Sequence, residues 1–141
     1  MQKFPPLSLY VHIPWCVQKC PYCDFNSHAQ KGTIPEQEYV QHLIADFEVD
    51  LEKYQASIQN RPLHSIFIGG GTPSLFSAES IKLLLAEIQR RIPFLENIEI
   101  TMEANPGTVE AERFKGYVDA GVTRISMGIQ SFNDDKLQRL G

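Results

Sequence analysis

Residues 10–25 read YVHIPWCVQKCPYCDF and carry every cysteine of the chain, Cys16, Cys20 and Cys23. Just upstream, residues 7–13 (LSLYVHI) form a short apolar run of strand type, closed by Pro14. Pro14 and Pro21 favour a loop over a continuous helix, so the three thiols follow a strand directly. In parallel α/β folds ligands gather at the carboxyl ends of strands. The fold reading therefore turns on whether further strands run parallel to the first.

The remaining sequence alternates strand and helix. A polar, turn-rich connection, NSHAQKGT, leads to Pro35, which opens a long helix. Its apolar face carries Tyr39, Val40, Leu43, Ile44, Phe47, Leu51 and Tyr54 at i+3 and i+4 spacing, and DFEVDLEKY supplies a solvated face. Residues 65–68 (SIFI) read as a second buried strand that stops at three glycines. Ser77 is an N-cap candidate for a helix with Ile81, Leu84, Leu85, Ile88 and Ile92 in one stripe. Residues 98–107 (IEITMEANPG) alternate as a third strand and turn at Asn105-Pro106-Gly107. Thr108 can cap a third helix, with Glu110 and Glu112 in its first turn and Gly121 near its end. Residues 123–132 (TRISMGIQSF) read as a fourth strand, with Met102 and Met127 expected in the core. NDDKLQRLG then starts another helix. Crossovers of this length imply parallel strands in an α/β architecture. A parallel sheet is normally covered on both faces, so residues 1–141 are expected to be the N-terminal part of one domain in a longer protein.

Composition narrows the function classes. The chain has 141 residues, is 43% hydrophobic, and carries 13 basic against 17 acidic residues for a net charge of −4. That is enough apolar material for a core. Without a Lys/Arg run there is no electrostatic reason to expect nucleic-acid or anionic-membrane binding. The opening residues lack a long apolar segment, which excludes a membrane span or signal peptide there. The expected compartment is the reducing cytoplasm, where clustered cysteines are more often ligands or redox groups than bridges.

The spacing Cys16-x3-Cys20-x2-Cys23 lets three thiolates approach one small object. A four-iron cluster ordinarily takes four cysteines, so three would leave one iron open to a substrate or cofactor. A structural zinc site completed by His28 or His12 is the main alternative, with unligated or disulfide-paired cysteines behind it. The GGGTPS loop (residues 69–74) follows the second strand. It is not a phosphate loop, because no Gly-Lys-Ser/Thr follows and Ser74 replaces the last glycine of G-x-G-x-x-G. Its glycines allow close backbone approach of a small polar ligand. Glu103 and Gln130 fall near the ends of the third and fourth strands, on the same expected face.

Taken together, the cysteine loop, GGGTP, EANP and SMGIQSF resemble the radical S-adenosylmethionine (SAM) superfamily. YVHIPWC and the order of motifs are similar to its oxygen-independent coproporphyrinogen III oxidase group, over nearly the whole chain. The resemblance implies a TIM-like partial (β/α)6 barrel of which about the first four strands are present. It implies a [4Fe–4S] cluster held by Cys16, Cys20 and Cys23, with SAM on the fourth iron. By the same resemblance Tyr10, Tyr22, Gly70, Gly71, Thr72, Glu103 and Gln130 match SAM-contact positions. Plainer roles are open to them: Tyr10 as a core aromatic, Tyr22 as a shield, Glu103 as a cap or ion-pair acid, Gln130 as a strand residue. His12 is read as a hydrogen-bonded structural histidine.

Two functions occur in this group. The oxidase decarboxylates propionate side chains of coproporphyrinogen III after a 5′-deoxyadenosyl radical abstracts hydrogen. A haem chaperone branch binds haem as cargo and delivers it to haem-dependent respiratory proteins, and an electron donor serves the cluster. Phe25 stands where oxidase relatives carry a further cysteine, Trp15 resembles the chaperone branch, and nine residues precede Tyr10 where the oxidases have a longer segment. These departures point to the chaperone.

Overall fold

The computed structural model describes residues 4–106 and 111–140. Gly107, Thr108, Glu110 and the Glu112 side chain, expected to form a turn and a helix start, lie outside the described residues.

Strand β1 (Leu7–Ile13) matches the expected apolar run. Two short strands, β2 (Trp15–Cys16) and β3 (His28–Ala29), pair parallel with each other across the cysteine loop. Helix α1 (Glu36–Lys53) follows Pro35, and the single turn α2 (Gln55–Ile58) follows it. Strand β4 (Leu63–Gly70) leads through a 3-10 turn (Pro73–Leu75) into helix α3 (Ala78–Arg91). Strand β5 (Phe94–Ala104), helix α4 (Ala111–Ala120), strand β6 (Arg124–Met127) and helix α5 (Asp134–Leu140) complete the order. The main sheet runs β1-β4-β5-β6, parallel throughout. This is the α/β arrangement of a partial barrel that the alternation predicts.

The two faces of the sheet differ because side chains alternate along each strand. Val11, Ile13, Ile66, Ile68, Ile100 and Met102 are buried in the core that also takes in Val40 and Ile44 of α1 and the stripe of α3. Each such side chain contributes roughly 1.5–3 kcal/mol relative to exposure. The other face carries Tyr10, Phe67, Thr101 and Arg124 in one register row. One step nearer the carboxyl ends come His12 beside Gly69 and Glu103 beside Ser126.

Helix α3 starts as expected. Ser77 Oγ accepts the Ser80 N–H at 3.2 Å. The same residue is also fastened to α1, since its N–H and hydroxyl both donate to Glu36 Oε2, at 2.9 and 2.6 Å.

Five expectations need correction. Strand β4 does not stop at the glycines; Gly69 and Gly70 belong to it, paired with His12 and Ile13 of β1. Strand β5 begins earlier, at Phe94, across a register irregularity between Leu63 and Ser65 of its partner. The fourth strand is four residues rather than ten, because its partner β5 ends at Ala104, just before Pro106, which has no N–H. Met127 consequently lies at the strand end, 41% exposed, and is not core, whereas Met102 is fully buried. Tyr54, placed on the buried face of the first helix, instead caps its end and is exposed.

Candidate functional site

Main-chain hydrogen bonds hold the cysteine loop by its ends. The His28 N–H donates to Pro14 O at 2.8 Å and the Gln30 N–H to Cys16 O at 2.7 Å, which makes the small β2–β3 ladder. On its other side the loop is joined to the glycine loop: Gly71 N–H donates to Ile13 O at 2.8 Å and Thr72 N–H to Trp15 O at 2.7 Å. Trp15 packs edge-on against Tyr39, 4.6 Å between ring centres, and the Tyr39 hydroxyl donates to His12 O at 2.8 Å. Between these anchors Cys16 is buried, while Cys20 and Cys23 are half-buried. A tight turn, Cys23 N–H to Cys20 O at 3.0 Å, sets the last two thiols on one bend.

Each glycine of residues 69–71 sits where an added Cβ would crowd this chain's own atoms, side chains at Gly69 and backbone as well at Gly70 and Gly71. A Cβ on Gly69 would lie 2.9 Å from Phe67 and 3.0 Å from Glu103 Oε2. Gly70 has φ +120°, a conformation that L side chains rarely adopt, and its N–H donates to Glu103 Oε2 at 3.2 Å. A Cβ on Gly71 would come within 2.5 Å of Trp15 O and 2.8 Å of Cys16 Sγ. The expected reason for the glycines was close approach of a ligand; close approach of the two loops to each other already demands Gly71. Thr72 is buried, and its hydroxyl accepts from Asn105 Nδ2 at 3.2 Å.

These elements enclose a cavity of about 230 Å³ at the carboxyl ends of the strands. Cys16, Cys20, Tyr22, Cys23, Gly70, Gly71, Thr72, Glu103 and Gln130 all line it. Glu103 is the penultimate residue of β5. Gln130 lies three residues beyond β6, not within a strand, and has φ +59°, an uncommon conformation for a non-glycine residue. Tyr10 is the exception among the expected positions. Its ring lies further down the inner face, 56% exposed, stacked on Phe67 with 6.3 Å between centres. Partial burial pushes its phenol above the ordinary value, with the charge of Glu103 adding to the effect. Tyr22 is also raised, first by burial and then by the Cys20 sulfur beside it.

Sequence reasoning missed Asn105 and Ser126 of the lining. Asn105 was read only as the start of a turn, yet its side chain ties the end of β5 to Thr72. Ser126 opens the SMGIQSF motif, but its place in the lining follows from register, since it pairs with Glu103 across β5 and β6.

Behind the glycine loop, Tyr117 of α4 is buried and its hydroxyl faces two acceptors, Ser74 O at 2.8 Å and Phe76 O at 2.7 Å. With Arg113, which also donates to Ser74 O, and the backbone bonds Leu75 N–H to Thr72 O and Phe76 N–H to Pro73 O, it holds the turn after Thr72. Tyr117→Phe is expected to destabilise the chain by about 1–3 kcal/mol, the cost of stranding a buried carbonyl; chemical denaturation measures it.

The donor set can be tested against the two metal readings. A single zinc ion draws thiolates to about 2.3 Å, so its ligands must crowd together. Among the described residues, no three His, Cys, Asp or Glu side chains are close enough to hold such an ion. His12, one candidate to complete a zinc site, has both ring nitrogens engaged, Nε2 with Asn26 O at 2.7 Å and Nδ1 with the Tyr10 hydroxyl at 2.9 Å. His28, the other, is exposed on β3. A four-iron cube takes thiolates at separate corners, and Cys16, Cys20 and Cys23 line one cavity, the donor set such a group would use.

Comparison with known proteins agrees with the geometry. The Radical SAM superfamily profile matches residues 10–141. The chain belongs to the radical SAM superfamily. It is 77% identical to the protein named Heme chaperone HemW of Haemophilus influenzae, over all of this chain and 37% of that protein. It is 60% identical to the Heme chaperone HemW of Escherichia coli (strain K12), again over the whole chain and 36% of the relative. Among solved structures, coproporphyrinogen III oxidase (HemN) from Escherichia coli, described as a radical SAM enzyme, aligns with TM-score 0.77 and 27% identity. That alignment covers 96% of this chain and 30% of the other. The chain thus spans a little over a third of the length of the curated relatives it matches. The expected family, and the α/β barrel fold with it, is borne out.

Proposed function

We propose that residues 1–141 are the N-terminal part of the radical SAM core of a haem chaperone. The observation that carries this reading is the single cavity lined by the three cysteines together with Gly70, Gly71, Thr72, Glu103 and Gln130. The names of the highly identical relatives support the haem chaperone over the oxidase.

In this proposal Cys16, Cys20 and Cys23 hold a [4Fe–4S] cluster, leaving one iron for SAM. When bound, the pair supplies one-electron chemistry at a sulfonium. The chain's own residues orient and enclose. The joined cysteine and glycine loops set the separation between cluster and cofactor. Gly70, Gly71 and Thr72 meet the methionine end of SAM; Glu103, its Oε2 already accepting from Gly70, and Gln130 offer further polar contacts to it, and Tyr22 covers the cysteine turn. Tyr10 acts one row lower, through its hydrogen bond to His12. Haem is the cargo and haem-dependent respiratory proteins are the recipients. An electron donor serves the cluster, and the site of action is the cytoplasm. No helix among the described residues is long and apolar enough to cross a membrane.

The deciding experiment uses the anaerobically reconstituted full-length protein. Iron and acid-labile sulfide are measured first, then stoichiometric haem binding and coproporphyrinogen III oxidation side by side. The expected result is a cluster, haem binding and no porphyrinogen turnover. Turnover would make the protein the oxidase instead, and zinc without sulfide would remove the radical SAM chemistry altogether.

A further inference from the structure

His12 touches both loops of the site. Its Nε2 meets Asn26 O at 2.7 Å, three residues after Cys23. Because a carbonyl can only accept, Nε2 carries the proton; Nδ1 is left to accept from the Tyr10 hydroxyl at 2.9 Å, which fixes the tautomer. The edge of the same ring lies where a Gly70 side chain would be, with Cε1 2.8 Å and Nδ1 2.9 Å from an added Cβ. Its own carbonyl is held by Tyr39 of α1. The ring thus bridges the far end of the cysteine loop to the strand end that presents the glycines.

The β2–β3 ladder anchors the loop at Trp15, Cys16, His28 and Ala29. The segment that carries Cys20 and Cys23 bulges outward from it, with Tyr22, Asp24, Phe25 and Asn26 exposed. Inside that bulge, Lys19 reaches Phe25 O at 3.4 Å, and Cys23 Sγ lies 3.8 Å from Ser27 Oγ. Both contacts are long. The short bond from His12 to Asn26 O is what ties the end of the bulge back to the rigid sheet.

We infer that His12 is a positioning residue for the cluster: its Nε2–H bond to Asn26 O fixes where the Cys20–Cys23 bend presents its thiolates, while its ring sets the spacing to the glycine loop. This rests on the cluster assignment proposed above. It gives His12 a role distinct from ligand to zinc or haem, since neither ring nitrogen is free.

The test compares His12→Phe, which keeps a flat ring but removes both hydrogen bonds, with His12→Gln, whose amide can still donate to Asn26 O. Full-length wild type and variants are reconstituted anaerobically. Two things are read: the half-life of cluster absorbance under an iron chelator, and the electron-paramagnetic line shape of the reduced cluster with and without SAM. Outer partners of metal ligands typically change affinity by about 10–100-fold. The Phe variant is accordingly expected to lose its cluster at least about tenfold faster, with an altered SAM-dependent line shape, and the Gln variant to recover most of the lifetime. A Phe variant with wild-type lifetime and line shape overturns the inference while leaving the cluster assignment intact. A wild type that assembles no cluster overturns both. If the Phe chain loses its helical circular dichroism, the Gln variant decides: folded and cluster-retaining supports the role, folded and cluster-shedding overturns it.

Discussion

Cys20→Ala is expected to abolish stable cluster assembly while leaving the apo fold within about 0.5 kcal/mol of wild type. Cys20 is only half-buried on an outward bend, so its sulfur contributes little packing, and substitutions at such positions are nearly neutral. Two thiolates cannot retain a cube that needs three. Acid-labile sulfide and the low-temperature electron-paramagnetic spectrum report the loss, and an unchanged cluster signal would contradict the ligand assignment. Cys16→Ala should lose the cluster equally but at an added stability cost on the order of 1 kcal/mol. Its sulfur is buried against the glycine loop. The contrast between the two variants separates ligation from packing.

Gly71→Ala should be strongly destabilising for so small a change. The new Cβ would meet Trp15 O at 2.5 Å and Pro14 O at 2.8 Å, both backbone atoms, as well as Cys16 Sγ at 2.8 Å. A flexible side chain can yield; these carbonyls are held by hydrogen bonds from Thr72 and His28. Overpacking of this kind costs about 1–3 kcal/mol, and relief requires parting the two loops. Stability and cluster uptake should therefore fall together. Gly32→Ala is the control: φ +78° makes it strained, but nothing lies within 4 Å of the added atom. It should cost on the order of 1 kcal/mol and leave cluster content unchanged. Thermal melts paired with iron analysis distinguish the two, and equal iron content in both would count against the joined-loop geometry.

The parts of the fold written in side-chain periodicity were legible before any coordinates. Strand β1, the stripe of α3 with its Ser77 cap, and the alternation that makes the sheet parallel all follow from local patterns that packing then reinforces. The cysteine, glycine and Glu103 positions were legible because chain topology alone sends strand ends to one edge. Register was not legible. It depends on which residues pair across strands, so the pairing of Ser126 with Glu103 was invisible, β6 was read too long, and Met127 was assigned to the core. The β2–β3 ladder was equally hidden, because two-residue strands carry no periodicity and are made by main-chain groups that every sequence possesses. Gln130 was found by its motif, but its left-handed backbone was not, since glutamine gives no conformational warning.

That last class of contact has a practical outcome. Ile13, Trp15, Gly71 and Thr72 are stitched together through peptide groups, so substitutions at solvent-facing positions elsewhere in the cysteine loop leave these bonds in place. Val17, Gln18 and Lys19 are solvent-facing within the same segment. Gln18 lines the cavity and Lys19 bonds Phe25 O, whereas Val17 does neither. Changing the polarity of Val17 should tune the reduction potential of a bound cluster through hydration and nearby dipoles, while the scaffold that spaces the reactants stays constant.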